Sequence, residues 1–389
     1  MLKVAIGHSN DPDTQSAIDE VIEQCQTALA SATPKAGILY TAIDFDHAAI
    51  LHRIDQVFPN LELIGCTSDG EVSSLLHFQQ DSIVLTLFCS DDVEIWAGVG
   101  RDLAQDPVRA AKQAVEQADS HKAQLRSNRN PSQLCIALPE SLTTSAAAIL
   151  NGLKVALGQT FPIFGGFAAD QWQFKQTYQF YKTEVLSDAL PILLFSGASL
   201  KFSHAACTGF QPVSQLGRIT KAHRNIIYEI DGKTALEFYS DYFGALEPSP
   251  EHPFAVLGQD DRFYLRGFSS FDRTTGSITV FTDVSEGDLL KLATASREDI
   301  IAAAKQPGLD ALNAYSGVEP SVALLFPCGA NRQLLGTRTR EEFQLMQASL
   351  GHQIPCCGFY TYGELASLDQ QQETQMLQHT VVTLLLGTH

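Results

Sequence analysis

Basic residues are scarce in this chain: 26 lysines and arginines stand against 44 aspartates and glutamates, a formal charge of -18. A surface that negative repels phosphate backbones and anionic lipid, which excludes nucleic acid and membrane surfaces as principal partners. Long apolar runs are also missing. The longest, such as Val381 to Leu386, are far too short to cross a bilayer, and Met1 to Gly7 reads as a strand without the apolar core of a signal peptide. There is no GxxxxGK[ST] phosphate loop, no GxSxG elbow and no HExxH zinc motif, so the commonest catalytic signatures are absent. The eight cysteines include no CxxC pair, which removes zinc-finger spacing and covalent CxxCH haem attachment. Reduced thiols in the cytoplasm are the expectation.

What is present is a large potential core. With 389 residues, 44% of them hydrophobic, the chain is long enough for two or more domains, and no tract is polar enough to read as disordered. One short pattern recurs. Near the C-terminus an apolar run meets a glycine and closes on Gly-Glu, in Ile354 to Leu365. The N-terminal counterpart is Leu63 to Val72, with Gly65, Gly70 and Glu71 matching Gly358, Gly363 and Glu364. A third copy, Pro162 to Asp170, keeps Gly165 and loses Gly-Glu. Repetition at this scale points to internal duplication.

The element order agrees. A strand at Val4–Gly7, a helix opened by Asp13, a strand at Gly37–Tyr40, a helix over 46–57, the glycine motif and a strand at 82–88 make a β-α-β-α-β-β unit. The order returns over 93–200. A third unit is expected from about 276, beginning with a strand at Ser277–Phe281 and a helix over 296–305. Residues 201–275 fall outside the pattern as a β-rich insert with prolines at 248, 250 and 253. The fold class expected is α/β: mixed sheets covered by helices in a layered sandwich, built from three repeats.

Three separated stretches carry a resemblance. Gly65 to Glu71 resembles the motif of the FIST N-terminal domain. Phe326 to Arg332 followed by Ile354 to Leu365 resembles the FIST C-terminal domain, and Tyr228 to Ala235 is similar to the family's linking segment, with Thr234 where proline is common. The resemblance implies an N-terminal domain over 1–225, with repeats at about 1–92 and 93–200, and a C-terminal domain over 226–389. It also implies a sensor without catalytic activity. Stand-alone members similar to this chain bind haem non-covalently, sense nitric oxide and modulate a partner histidine kinase; other members are proposed to bind small ligands such as amino acids. Self-association as a homodimer is left open.

Candidate residues follow from that implied chemistry. Haem iron needs a neutral imidazole in an apolar setting, and the candidates in order are His204, in Phe202 to Ala206, then His352 and His252; His204 is the expected metal ligand. Arg332 is the candidate for a ligand carboxylate, because guanidinium pairs bidentately. Thr67, Glu71, Tyr360, Tyr362 and Glu364 could cradle a ligand around the glycines, or could simply build a turn in which glutamate caps nearby amides. The aromatics that differ between copies, Phe359, Tyr360 and Tyr362, are the expected pocket wall. Cys328, before Gly329 and Arg332, could be a reactive thiol, an iron ligand or a small buried hydrophobe. A Glu71–Glu364 dyad would require the repeats to face one another.

Overall fold

A computed structural model describes residues 1–124, 130–258, 262–351, 353–370 and 373–389. The first unit runs β1 (Lys3–Ser9), α1 (Thr14–Leu29), β2 (Ala36–Thr41), α2 (His47–Val57), β3 (Glu62–Thr67), the hairpin β4 (Glu71–Ser73) and β5 (His77–Gln79), then β6 (Ile83–Cys89). The helix starts are set by carboxylate caps: Asp13 accepts from the Ser16 N–H at 2.9 Å and Asp46 from the Ala49 N–H at 3.0 Å. The second unit repeats the order as β7 (Glu94–Arg101), α3 (Pro107–Gln124), β8 (Ser132–Ala137), α4 (Ala146–Leu157) and β9 (Ile163–Gly166). It ends on the hairpin β10 (Gln179–Tyr181) and β11 (Glu184–Leu186), then β12 (Ala189–Ser196). The basic stretch at 121–131 lies in part outside the described residues.

The third unit opens earlier than its sequence suggests. Its first strand is β13 (Leu200–Cys207), which pairs antiparallel with the last strand of the chain as β1 pairs with β6 and β7 with β12. The insert follows this strand instead of preceding the unit. It comprises β14 (Gln211–Pro212), β15 (Gly217–His223), β16 (Ile226–Ile230), β17 (Lys233–Thr234), α5 (Ala235–Phe243) and β18 (Phe254–Leu257). It continues through β19 (Phe263–Arg266), β20 (Phe268–Asp272), β21 (Ser277–Val280) and β22 (Leu289–Thr294), all in one nine-stranded sheet. Ser277–Val280 is a strand, as expected, but it belongs to the insert. The unit then resumes with α6 (Arg297–Ala303), α7 (Gln306–Ala314), β23 (Glu319–Pro327), α8 (Gly329–Leu335), α9 (Thr339–Leu350) and β24 (Cys356–Phe359). The hairpin β25 (Glu364–Ala366) and β26 (Gln375–Leu377) and the strand β27 (Val381–Thr388) complete it.

Each unit gives its hairpin away. The three six-stranded sheets run β1-β6-β2-β3-β10-β11, β7-β12-β8-β9-β25-β26 and β13-β27-β23-β24-β4-β5. Unit one is thus completed by unit two, unit two by unit three, and unit three by unit one, which closes a ring. Within each sheet one pair is parallel (β2–β3, β8–β9, β23–β24) and the remaining pairs are antiparallel. The architecture is α/β with mixed sheets under helices, as expected from the repeats.

Side-chain alternation explains the layering. On β2, Ile38 and Tyr40 point inward, where they join Ile136 of β8 and Leu324 of β23 in one core shared by all three sheets. Leu39, between them, points outward onto α1 and α2, and the other two units have matching helix-facing clusters. The recurrent glycine sits where the parallel strands come closest. A Cβ at Gly65, Gly165 or Gly358 would lie 2.3, 2.0 or 1.8 Å from the carbonyl oxygen of Leu39, Ala137 or Leu325. That glycine is therefore a packing requirement of each parallel pair.

Candidate functional site

The three glycine motifs meet where the units join. Past each glycine strand the chain turns, and the turns hand one hydrogen bond around the ring: the Asp69 N–H to the Tyr360 carbonyl (3.0 Å), the Ala169 N–H to the Thr67 carbonyl (2.9 Å) and the Tyr362 N–H to the Phe167 carbonyl (3.2 Å). Glu71 and Glu364 then open the lent hairpins, and Gln179 takes the equivalent place in the second unit, because Glu71, Gln179 and Glu364 pair with Phe359, Cys66 and Gly166. Both glutamates are fully buried. Glu71 accepts from the Ser68 and Ser82 hydroxyls, and Glu364 from Thr361 (2.9 Å) and Thr380 (2.6 Å). Burial pushes each carboxyl up to about 8. Each is enclosed by hydroxyls of its own unit, so they do not form a dyad. Ser82 also meets His8 Nε2 at 2.9 Å, and His8 Nδ1 meets Ser73 at 2.7 Å, extending the Glu71 network through a histidine that burial pushes down to about 3.

The second unit replaces the short Ser68-Asp69-Gly70 turn with a longer loop, and this loop builds the site. Gln171, Trp172 and Phe174 have φ of 54°, 63° and 49°, left-handed conformations that cost non-glycine residues about 1 kcal/mol or more each. Buried Asp170 holds the loop in that shape. Its carboxylate accepts from the N–H groups of Phe174 (3.0 Å), Lys175 (2.7 Å) and Gln176 (3.2 Å) and from the Tyr362 hydroxyl (2.7 Å). Trp172 donates its indole N–H to Asp69 at 2.8 Å, and Asp69 also takes the Arg332 guanidinium at 2.7 Å. Burial pushes the Asp69 carboxyl up to about 7, against the pull of Arg332 and Trp172.

These contacts shape a cavity of about 290 Å³ between the loop, the insert and the segment that enters α4. Phe174 stacks on Tyr362 at 5.2 Å, Trp172 stands edge-on to both rings, and Phe281 of the insert lies 6.3 Å from Phe174. Ser141, Thr144, Cys328 and His379 bring polar atoms to the walls. Ser141 Oγ, Thr144 Oγ1 and His379 Nδ1 are buried without a hydrogen-bond partner. Leaving such groups unpaired costs about 1–3 kcal/mol each.

Among the residues singled out in the sequence, Tyr362 and Cys328 line this cavity. Arg332 is already paired with Asp69, which corrects its assignment to a ligand carboxylate. Tyr360 is fully buried and donates to Glu342 at 2.6 Å, and Phe359 stacks on Tyr40 in the shared core, so neither forms the pocket wall. Thr67 accepts from the Tyr178 N–H at 3.1 Å as part of the turn. Cys328 is a buried thiol beside Glu364, and both burial and that neighbour push its pKa well up, the opposite of a reactive thiolate. His204 lies on β13 against Phe164, with Nε2 on the Ser367 hydroxyl (2.7 Å) and the Asp369 carbonyl (3.2 Å). His252 stacks flat on Phe243 at 4.1 Å, and His352 lies outside the described residues. Among the described residues no cluster of three or more His, Cys, Asp or Glu side chains is arranged to hold a metal ion. The residues missed were Asp69, Asp170, Trp172, Phe174 and His379. Trp172, one of only two tryptophans, and the length of the second copy were the available signals.

No helix is long and apolar enough to cross a membrane among the described residues. The FIST N domain model matches residues 35–233 and the FIST C domain model residues 235–367, so their boundary falls within the insert. An uncharacterized protein of Methanocaldococcus jannaschii is 23% identical over 359 residues, covering 82% of this chain and 68% of its own. Two cyanuric acid hydrolase structures, one from A. caulinodans, align over 100% of both chains with TM-scores of 0.42 and 0.40 at 8% and 10% identity. Likenesses that distant carry no functional argument. With both domain models in order along the sequence, the chain belongs to the FIST family, whose domains are small-ligand sensors in signal transduction.

Proposed function

We propose that this protein is a sensor whose small ligand is held in the aromatic cavity between the second unit, the third unit and the insert. The observation that carries this reading is the strained loop 171–174, whose cost is met by Asp170 and whose product is a pair of aromatic walls. A ligand there would touch the insert and the ring together, so binding would stiffen one against the other, which is a signal a partner can read. The eight unpaired thiols fit a reducing compartment such as the cytoplasm. The test is a thermal-shift screen of small metabolites on the whole protein. Compounds that raise the melting temperature should lose that effect in Phe174→Ala, whose side chain is 45% exposed and so tolerates truncation. Hits indifferent to the substitution would overturn the reading.

Haem binding, nitric oxide sensing and a histidine kinase partner are the finer expectation from the family resemblance. The two described histidines expected to hold haem do not place it in this cavity. His204 has its Nε2 engaged by Ser367 and His252 is stacked on Phe243, each with an unpartnered Nδ1, and neither borders the cavity. Reconstitution with haemin tests it separately: a Soret band distinct from free haemin that shifts with nitric oxide would reinstate the haem reading.

A further inference from the structure

The charge of the cavity wall restricts what can enter. Among the described residues no Asp, Glu, Lys or Arg side chain lines it. Of the guanidiniums beside wall residues, Arg332 is committed to Asp69 at 2.7 Å and Arg266 donates to the Leu265 and Met376 carbonyls. The one ionisable base on the wall, His379, is 1% exposed, and burial pushes it down to about 3, so it is a neutral imidazole at physiological pH. Glu364, behind Cys328, is held protonated by burial near neutral pH. A charged ligand would therefore be buried without a counter-charge, at a cost of several kcal/mol.

The same wall favours flat rings. Tyr362, Phe174 and Trp172 present faces and edges at the centroid spacings aromatic pairs prefer, and Phe281 continues the surface into the insert. The unpaired Ser141 Oγ, Thr144 Oγ1 and His379 Nδ1 supply two hydroxyls and one imidazole nitrogen for polar groups at a ring's edge. The volume, about 290 Å³, is at the small end of ligand cavities.

From these observations we infer that the cavity takes a small, uncharged, planar aromatic or heteroaromatic molecule with hydrogen-bonding groups on its rim, an inference that rests on the cavity being the sensor's ligand site. Free amino acids, as zwitterions, are excluded by the same argument. The experiment is calorimetric titration of the whole protein with four molecules that share one ring and differ in charge: indole, tryptamine, indole-3-acetate and tryptophan. Indole should bind at least tenfold more tightly than any charged congener and lose at least tenfold in Phe174→Ala. A charged congener that binds as well as indole or better, and weakens in Phe174→Ala, would overturn the ligand class while leaving the site in place. If none of the four binds, the ligand class is overturned and the site still stands or falls on the metabolite screen. Binding of indole that is unchanged in Phe174→Ala would overturn both.

Discussion

Asp69 holds the Arg332 guanidinium on one carboxylate oxygen and the Trp172 indole N–H on the other, so one buried side chain ties the first unit to the third and to the cavity loop. Replacing it with asparagine keeps the shape and removes the charge, leaving Arg332 uncompensated. Breaking a buried pair costs about 3–5 kcal/mol, and the partial exposure of Arg332, 11%, places this one near the lower end. Denaturant titration of Asp69→Asn should therefore show a loss of about 3 kcal/mol; a loss below about 1 kcal/mol would contradict the pairing. None of this was legible in sequence. Asp69 and Arg332 stand far apart in the chain, and a lone arginine beside a glycine looks the same whether its carboxylate is internal or brought by a ligand.

At the scale of the element, the repeats were readable because each rests on local chemistry: aspartate caps, 3.6-residue apolar spacing on helices and period-two alternation on strands. The glycine motif was recognisable, but its first glycine serves the close approach of a parallel strand pair, where there is no room for a Cβ, and not a turn. Gly358→Ala would place a methyl 1.8 Å from the Leu325 carbonyl oxygen, and overpacking of this kind costs about 1–3 kcal/mol. Thermal unfolding of Gly358→Ala should show a lowered midpoint; an unchanged midpoint would contradict the packing argument. Two features stayed hidden. The insert interrupts the third unit after its first strand, which left β13 grouped with the insert. The lent hairpins pair with strands of another unit, and only the fold brings those partners together.

Across the whole molecule, buried titratable groups make stability depend on pH. His8 and His379 have folded pKa values near 3, below their ordinary 6.5, so the unfolded chain binds more protons between those values and stability rises with pH there. Glu71 and Glu364 have folded values near 8, above their ordinary 4.5, so the folded chain binds more protons in that window and stability falls as pH rises. The two effects oppose one another between pH 4.5 and 6.5; above 6.5 the raised carboxyls act without the histidines, Asp69 and Glu342 up to about 7 and Glu71 and Glu364 up to about 8. Gln179 shows that a neutral amide fills the equivalent position. Stability in urea should drop between pH 6.5 and 8.5 for the native chain and drop less in the Glu71→Gln, Glu364→Gln double variant. Equal losses would show that these carboxyls do not titrate in that range.

The same ring that buries those groups also places Trp172 at the cavity, and that makes the central claim directly measurable. The chain has two tryptophans, so Trp96→Phe leaves Trp172 as the sole indole reporter. In that variant, every compound that raises the melting temperature should also shift or quench the Trp172 emission, with the same dissociation constant by both readouts. Compounds that stabilise the protein while Trp172 emission stays unchanged would mean that the ligand binds elsewhere and that the aromatic cavity is not the sensor's site.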